Sequence, residues 1–276
     1  MLIAHSPNKL INELDTLRFR GGSRRCVSLV TTRGNLHEGH RSVINAARTV
    51  SDIVVVAITP PPATQRIRSN VVSAPEFHDI GFVEQSDVDV AYLPSEEDLF
   101  PDREALIAFN FANDCELFDD PDYFLNVQLK LINCVQPDIM VWGEKNYIEY
   151  FWVRQLVNDL HIRTQMQCIP TVRHANGLAL SSDHQLLSVE EKDQAPILFE
   201  TLNNIAHAIR DGAKSYAKLE KTARVALRGA GFNITSCKIL DDTTLQPAHE
   251  ETTAFRIIGN VTLNGVPVTD NIGLTL

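Results

Sequence analysis

The sequence predicts an α/β protein, a doubly wound parallel sheet followed by a smaller α+β domain. Three observations predict it. Short, continuously apolar and β-branched runs recur, as expected of strands buried on both faces. Segments with apolar residues at helical spacing separate them. Beyond about Leu187 the alternation stops, and helices give way to an antiparallel hairpin.

The elements follow in order. Val27–Val30 is a strand that ends in Thr31-Thr32-Arg33-Gly34, and a helix runs from Leu36 to Val50 with Val43, Ile44, Ala46, Ala47 and Val50 on one face. Ile53–Ile58 is a second strand, stopped by Pro60-Pro61-Pro62. Strand, helix, strand makes a parallel unit with a right-handed crossover. Ala63–Pro75 is polar and aperiodic, a loop; Glu76–Gln85 is a short helix, and Val88–Leu93 a third strand. Asp122–Cys134 is a helix with Phe124, Val127, Leu131 and Cys134 in a stripe. Ile139–Trp142 is a fourth strand, Phe151–Leu160 a helix and Gln165–Ile169 a strand. Then Gln194–Asp211 and Ala217–Ala230 are helices, and Thr235–Leu240, Thr253–Ile258 and Asn260–Leu263 are strands, the last turning at Asn264-Gly265. The expected domains are residues 1–183 and 184–276.

Composition narrows the function. With 25 Lys+Arg against 35 Asp+Glu, the net charge of −10 disfavours a general nucleic-acid binder. No apolar run approaches the roughly 20 residues that cross a bilayer, and Met1–Glu13 is too polar for a signal peptide, so a cytoplasmic address is expected. Five cysteines without a CxxC spacing suggest buried thiols, neither a disulfide framework nor a zinc site. Trp142 and Trp152 are expected in the core. His5, His78, His161, His174, His207 and His249 are scattered, and the acidic group Asp114, Glu116, Asp119 and Asp120 reads as a solvated loop.

The chemistry concentrates in Leu36-His37-Glu38-Gly39-His40, directly after a strand and opening a helix. A helix N-terminus presents unpaired N–H groups and a partial positive charge, which attract phosphate. His37 and His40, three apart, share one side of the first turn. Gly39 leaves space for a nucleotide, and two imidazoles can donate hydrogen bonds to phosphates as charge grows in a transition state. A surface pair or an opportunistic metal site are the alternatives. Lys145 stands at the carboxyl end of the fourth strand, the ligand edge of such a sheet. Ser181-Ser182 is either a turn or helix cap, or a pair of hydroxyls on a mobile inter-domain segment.

His-x-Gly-His in this place resembles the nucleotidylyltransferase superfamily, with its Rossmann-like ATP-binding domain. The stretch Thr31–Arg48, Gly143-Glu144-Lys145, Pro170–His184, Thr244-Leu245-Gln246-Pro247 and Asp270-Asn271, in this order, resemble the pantoate–β-alanine ligase family more specifically. The resemblance implies that ATP adenylates pantoate with release of pyrophosphate, and that β-alanine then expels AMP, with Mg²⁺ neutralising the pyrophosphate. It gives His37, His40 and Lys145 to the phosphates, Ser181 and Ser182 to phosphate oxygens, and Gly143 to the ribose side. It places Thr32, Gly34, Gly39, Asn146, Val172, Leu180 and Asp183 around the nucleotide, makes the 184–276 domain a lid, and implies a homodimer.

The departures from the family cluster in the acid pocket. Arg33 stands where the family has methionine, and Glu149 where it has a pantoate-binding glutamine. The other glutamine falls on Thr64 or Gln65. Asn146 replaces an aspartate, Asp183 replaces a phosphate-facing arginine, and Asp119–Leu125 and Arg68–Ser73 replace further family motifs. An amide donates, whereas an ionised carboxylate only accepts. Glu149 therefore repels a substrate carboxylate unless a cation such as Arg33 intervenes. Three readings follow: a working pantoate–β-alanine ligase, the same chemistry on another acid or amine, or a weakened nucleotide-binding paralogue.

Overall fold

The computed structural model describes residues 1–60, 76–101, 107–109 and 120–276. The expected loop Ala63–Pro75, the candidates Thr64 and Gln65, and Asp114, Cys115, Glu116 and Asp119 lie outside these residues. Two compact units divide the chain, Met1–Pro170 and Thr171–Leu276.

The first unit runs β1 (Leu2–Ala4), α1 (Pro7–Arg18), β2 (Val27–Thr32), α2 (Glu38–Val50), β3 (Ile53–Ile58), α3 (Glu76–Glu84), β4 (Val90–Tyr92), α4 (Glu96–Leu99), α5 (Pro121–Val135), β5 (Ile139–Gly143), α6 (Tyr147–Asp159) and β6 (Gln165–Ile169). A 3₁₀ turn over Glu144–Asn146 joins β5 to α6. The six strands are ordered β1-β4-β3-β2-β5-β6, and every pairing is parallel. From β2 the chain builds outward through β3 and β4, then returns to add β5 and β6 on the other side. The order reverses between β2 and β5, which opens a crevice at their carboxyl ends. The histidine pair follows β2 and Lys145 follows β5, so the topology delivers both to that crevice.

Alternation along the strands sends Val30, Val54, Val56, Ala91 and Val141 into a core with Val43, Ile44 and Ala47 of α2. Trp142 faces the other way, edge-on to Phe124 of α5. Both tryptophans are buried, as the sequence suggested. The sequence reading did not anticipate β1 and α1. A three-residue strand carries little pattern, and α1 is anchored at long range: buried Arg18 donates to Val135 O and Gln136 O at the end of α5.

The second unit comprises a 3₁₀ segment (Ser182–Leu186), α7 (Val189–Gln194), α8 (Pro196–Arg210), α9 (Tyr216–Gly229), β7 (Asn233–Asp241), β8 (Ala254–Leu263) and β9 (Val266–Thr275). Its antiparallel sheet, ordered β7-β8-β9, packs on α8 and α9 through Leu198, Leu202, Leu227, Phe255 and Ile257. The two strands expected at Thr253–Ile258 and Asn260–Leu263 are one, β8, which runs through Gly259. A Cβ there would lie 2.6 Å from Leu198 Cδ1, so that glycine serves helix packing and does not break the strand. The unit begins ahead of the expected 183/184 boundary. Arg173 bridges Ala179 across a short turn and makes a two-pronged pair with Asp270 of β9, at 2.6 and 2.9 Å. This holds the 171–181 hairpin to the second sheet.

Candidate active site

The turn between β2 and α2 is built on backbone conformations that few residues adopt. Gly34 (φ 91) and Asn35 (φ 53) are both left-handed. A Cβ at Gly34 would stand 2.8 Å from Asp79 Oδ2. That carboxylate is buried, and it accepts from Asn35 N at 2.9 Å and Leu36 N at 2.8 Å. Asp79 of α3 thus fixes the approach to α2. The sequence reading missed it, because its partners are backbone groups more than forty residues away and no local pattern marks it.

The two histidines cap the helix they open. His37, the N-cap, accepts from Gly39 N at its Nδ1 (3.1 Å). His40 Nδ1 accepts from His37 N at 3.2 Å. This is a capping box made with imidazoles in place of the usual hydroxyl and carboxyl. The rings lie 4.2 Å apart, centroid to centroid. With each Nδ1 accepting, the proton of each neutral ring sits on Nε2. His40 Nε2 lies 3.2 Å from Thr32 Oγ1, which also accepts from Gly34 N at 3.2 Å. Burial, then the charges of His37 and Lys145, push the His40 pKa down to about 3. At neutral pH His40 is therefore an uncharged N–H donor, and Lys145 is near enough to shape its titration. Glu38, between the two histidines in sequence, turns outward to Arg41.

Gly143 and Asn146 bracket Lys145. A Cβ at Gly143 would meet Val43 Cγ2 at 3.5 Å, an ordinary contact, so packing alone does not demand glycine there. Arg33 and Glu149 come together: the guanidinium stands 3.9 Å from the Glu149 carboxylate in the first turn of α6. Arg33 thus partly balances the charge that the sequence reading flagged as repulsive.

The second unit holds the remaining candidates. Leu180 N donates to Val172 O at 2.9 Å, which places these two side by side. Ser181 caps the 3₁₀ segment that Ser182 and Asp183 open, with no side-chain hydrogen bond at the cap, and Asp183 is exposed. Among the described residues no group of three or more His, Cys, Asp or Glu could hold a metal ion, and no helix is long and apolar enough to cross a membrane. The donors gathered near α2 are imidazoles, an ammonium and a hydroxyl, which do not form the oxygen cage Mg²⁺ prefers.

Comparison with known proteins identifies the family. The model of the pantoate-beta-alanine ligase family matches residues 3–273. A pantothenate synthetase of Vibrio parahaemolyticus serotype O3:K6 is 34% identical over 90% of this chain and 85% of its own. One from Methylococcus capsulatus is 31% identical over 91% of each chain. Among solved structures, pantothenate synthetase from Thermus thermophilus superposes with a TM-score of 0.82 at 25% identity, covering 99% of both chains. Pantoate-beta-alanine ligase from Francisella tularensis, complexed with beta-gamma ATP and beta-alanine, gives 0.75 at 25% identity over 99% of this chain and 97% of its own.

Proposed function

The chain belongs to the pantoate–β-alanine ligase family, and from that premise we propose that it activates pantoate with ATP and joins it to β-alanine. The pantoate carboxylate attacks the α-phosphorus and pyrophosphate leaves. The β-alanine amine then attacks the acyl carbon of the adenylate, AMP leaves and the nitrogen loses its proton, giving pantothenate. The observation that carries this reading is the imidazole capping box. It brings a neutral His40 ring, the His37 imidazole and the first N–H groups of α2 together near Lys145, which supports a triphosphate lying there.

The roles divide accordingly. His37 and His40 stabilise negative charge that develops on the α- and β-phosphates, and Thr32 holds His40 in register. Lys145 neutralises the α-phosphate. Gly34, Gly39, Gly143 and Asn146 border the nucleotide. In the same reading Val172, Leu180, Asp183 and the hydroxyls of Ser181 and Ser182 are nucleotide contacts. Mg²⁺ enters as part of the substrate, bound to triphosphate oxygens, because the described side chains offer it no cage. Arg33 and Glu149, with Thr64 or Gln65, contact the acid. The protein acts as a cytoplasmic homodimer.

A second reading, the same chemistry on a different hydroxy acid, is favoured by one observation: the Arg33–Glu149 pair. The weakened-paralogue reading is disfavoured by the intact His37–His40 geometry. ATP–pyrophosphate exchange against a panel of hydroxy acids, followed by amine-dependent AMP release, tests all three. Exchange strongest with pantoate, and AMP release strongest with β-alanine, is expected. Exchange only with another acid selects the second reading, and ATP binding without any exchange selects the paralogue.

A further inference from the structure

Thr31, Ala57 and Tyr92 stand in one row across β2, β3 and β4, since Thr31 pairs with Ala57 and Ala57 with Tyr92. Trp142 continues the row on β5, two residues beyond the Leu29–Met140 pair. Their strand neighbours Val30, Val56, Ala91 and Val141 belong to the core under α2, so the row lies on the opposite face. This is the face that α5 covers, with Phe124 set edge-on to Trp142 at 6.2 Å. The middle of the row is small. Its ends are large, and both end in a polar atom, Tyr92 Oη and Trp142 Nε1, buried without a hydrogen-bond partner among the described residues.

A third such atom belongs to α5. Gln128 is 3% exposed, and its Oε1 is also without a partner. It follows Phe124 by one helical turn and so projects on the same side of the helix. Its neighbours Leu125, Leu131 and Ile132 are the apolar residues such a position normally takes. A buried amide carbonyl with no donor costs its whole desolvation, and a leucine would avoid that cost. Arg33, two residues past Thr31, reaches Glu149 on α6, which packs beside α5. Arg33, Glu149 and the buried glutamine therefore share one face of the sheet.

We propose that Gln128 is a specificity residue for the acid, its carbonyl accepting a hydrogen bond from a substrate hydroxyl while Trp142 Nε1–H donates to an oxygen of the same molecule. The inference rests on the ligase reading above and sharpens it to a small hydroxylated carboxylic acid. A purely aliphatic acid leaves both buried atoms unpaired, and the site discriminates against it.

The test compares the unchanged protein with Gln128→Met and Gln128→Leu in pyrophosphate exchange, using pantoate and analogues that each lack one hydroxyl. Gln128→Met keeps length and volume, so it tests the idea even if the leucine variant does not fold. The Michaelis constant for pantoate is expected to rise about tenfold in the variant, with that for ATP unchanged. One deoxy analogue should bind both proteins equally. An unchanged pantoate constant together with a raised melting temperature overturns the inference, because Gln128 is then only a costly core residue. The two failures are separable. No exchange with pantoate in the unchanged protein overturns the ligase reading and this inference together, whereas normal exchange that Gln128→Met leaves untouched overturns this inference alone.

Discussion

The two faces of the parallel sheet end differently at its carboxyl edge. On the α2 face, the histidines, Thr32 and Asp79 are tied to backbone: the imidazoles cap α2, Thr32 accepts from Gly34, and Asp79 holds Asn35 and Leu36. On the α5 face the groups are side chains meeting side chains, an ion pair at 3.9 Å, together with buried polar atoms that have no partner among the described residues. The contrast teaches how a fold can keep one reaction while changing its acid. In the proposed reading, phosphate chemistry is held by the chain's own path, and acid choice is left to replaceable side chains.

The strongest way to break the comparison is at His40. His40→Ala removes a preorganised donor to developing phosphate charge and one half of the capping box. Exchange activity should fall by about a hundredfold or more, while the Michaelis constant for the acid hardly moves. An equal rise in the acid constant would show that the two faces are not separable.

The next effect is on stability. Asp79→Ala leaves two turn N–H groups without their acceptor, at about 1–3 kcal/mol each. Denaturant unfolding should report a loss of about 2 kcal/mol or more, and the ATP constant should rise with it. Gly34→Ala should cost about 1–3 kcal/mol, from a φ of 91 and the collision with Asp79. Neither variant should alter the ranking of acids.

Most of the α2 face was legible because its signals are local. A β-branched run, a turn glycine and a histidine at the start of an amphipathic helix are neighbours in sequence, and they are neighbours in space. Asp79 was not legible, since nothing around it says that its partners are at residues 35 and 36. β9 was hidden for a related reason: Asp270 and Asn271 interrupt its alternation, yet both are buried, because Arg173 pairs with one and Arg256 Nη1 donates to the other. Long-range pairing turns a polar stretch into a core strand. On the α5 face, Arg33 and Glu149 stood out as departures from the family pattern. Gln128 passed unnoticed within an ordinary amphipathic helix, because its anomaly appears only once burial is known.

A smaller effect sharpens the acid side. Arg33→Met leaves the Glu149 charge uncompensated beside the acid, and the acid constant should rise about threefold to tenfold. Adding Glu149→Gln should restore it, a compensation that a double-mutant cycle measures directly. The half-exposed pair contributes little to folding, so neither change should shift stability by more than about 1 kcal/mol. If the double variant is as poor as the single one, the two residues act independently.

The smallest expected effect is an absence of change, and it bears on how the phosphate side works. Because burial holds the His40 pKa near 3, the ring stays neutral as pH falls from 8 to 5. Its carbon-bound ring protons, followed by NMR in the unliganded protein, should show no titration over that range. The linkage has a definite sign. An unfolded chain takes up a proton at this residue below about pH 6.5 and the folded protein does not, so this group's contribution to stability is full above about 6.5 and is lost as pH falls toward about 3. An ordinary His40 titration near 6.5 would mean that the ring is solvated and cationic. The phosphate side would then act by charge, and its neutral, backbone-fixed donors would no longer set it apart from the ion-paired acid side.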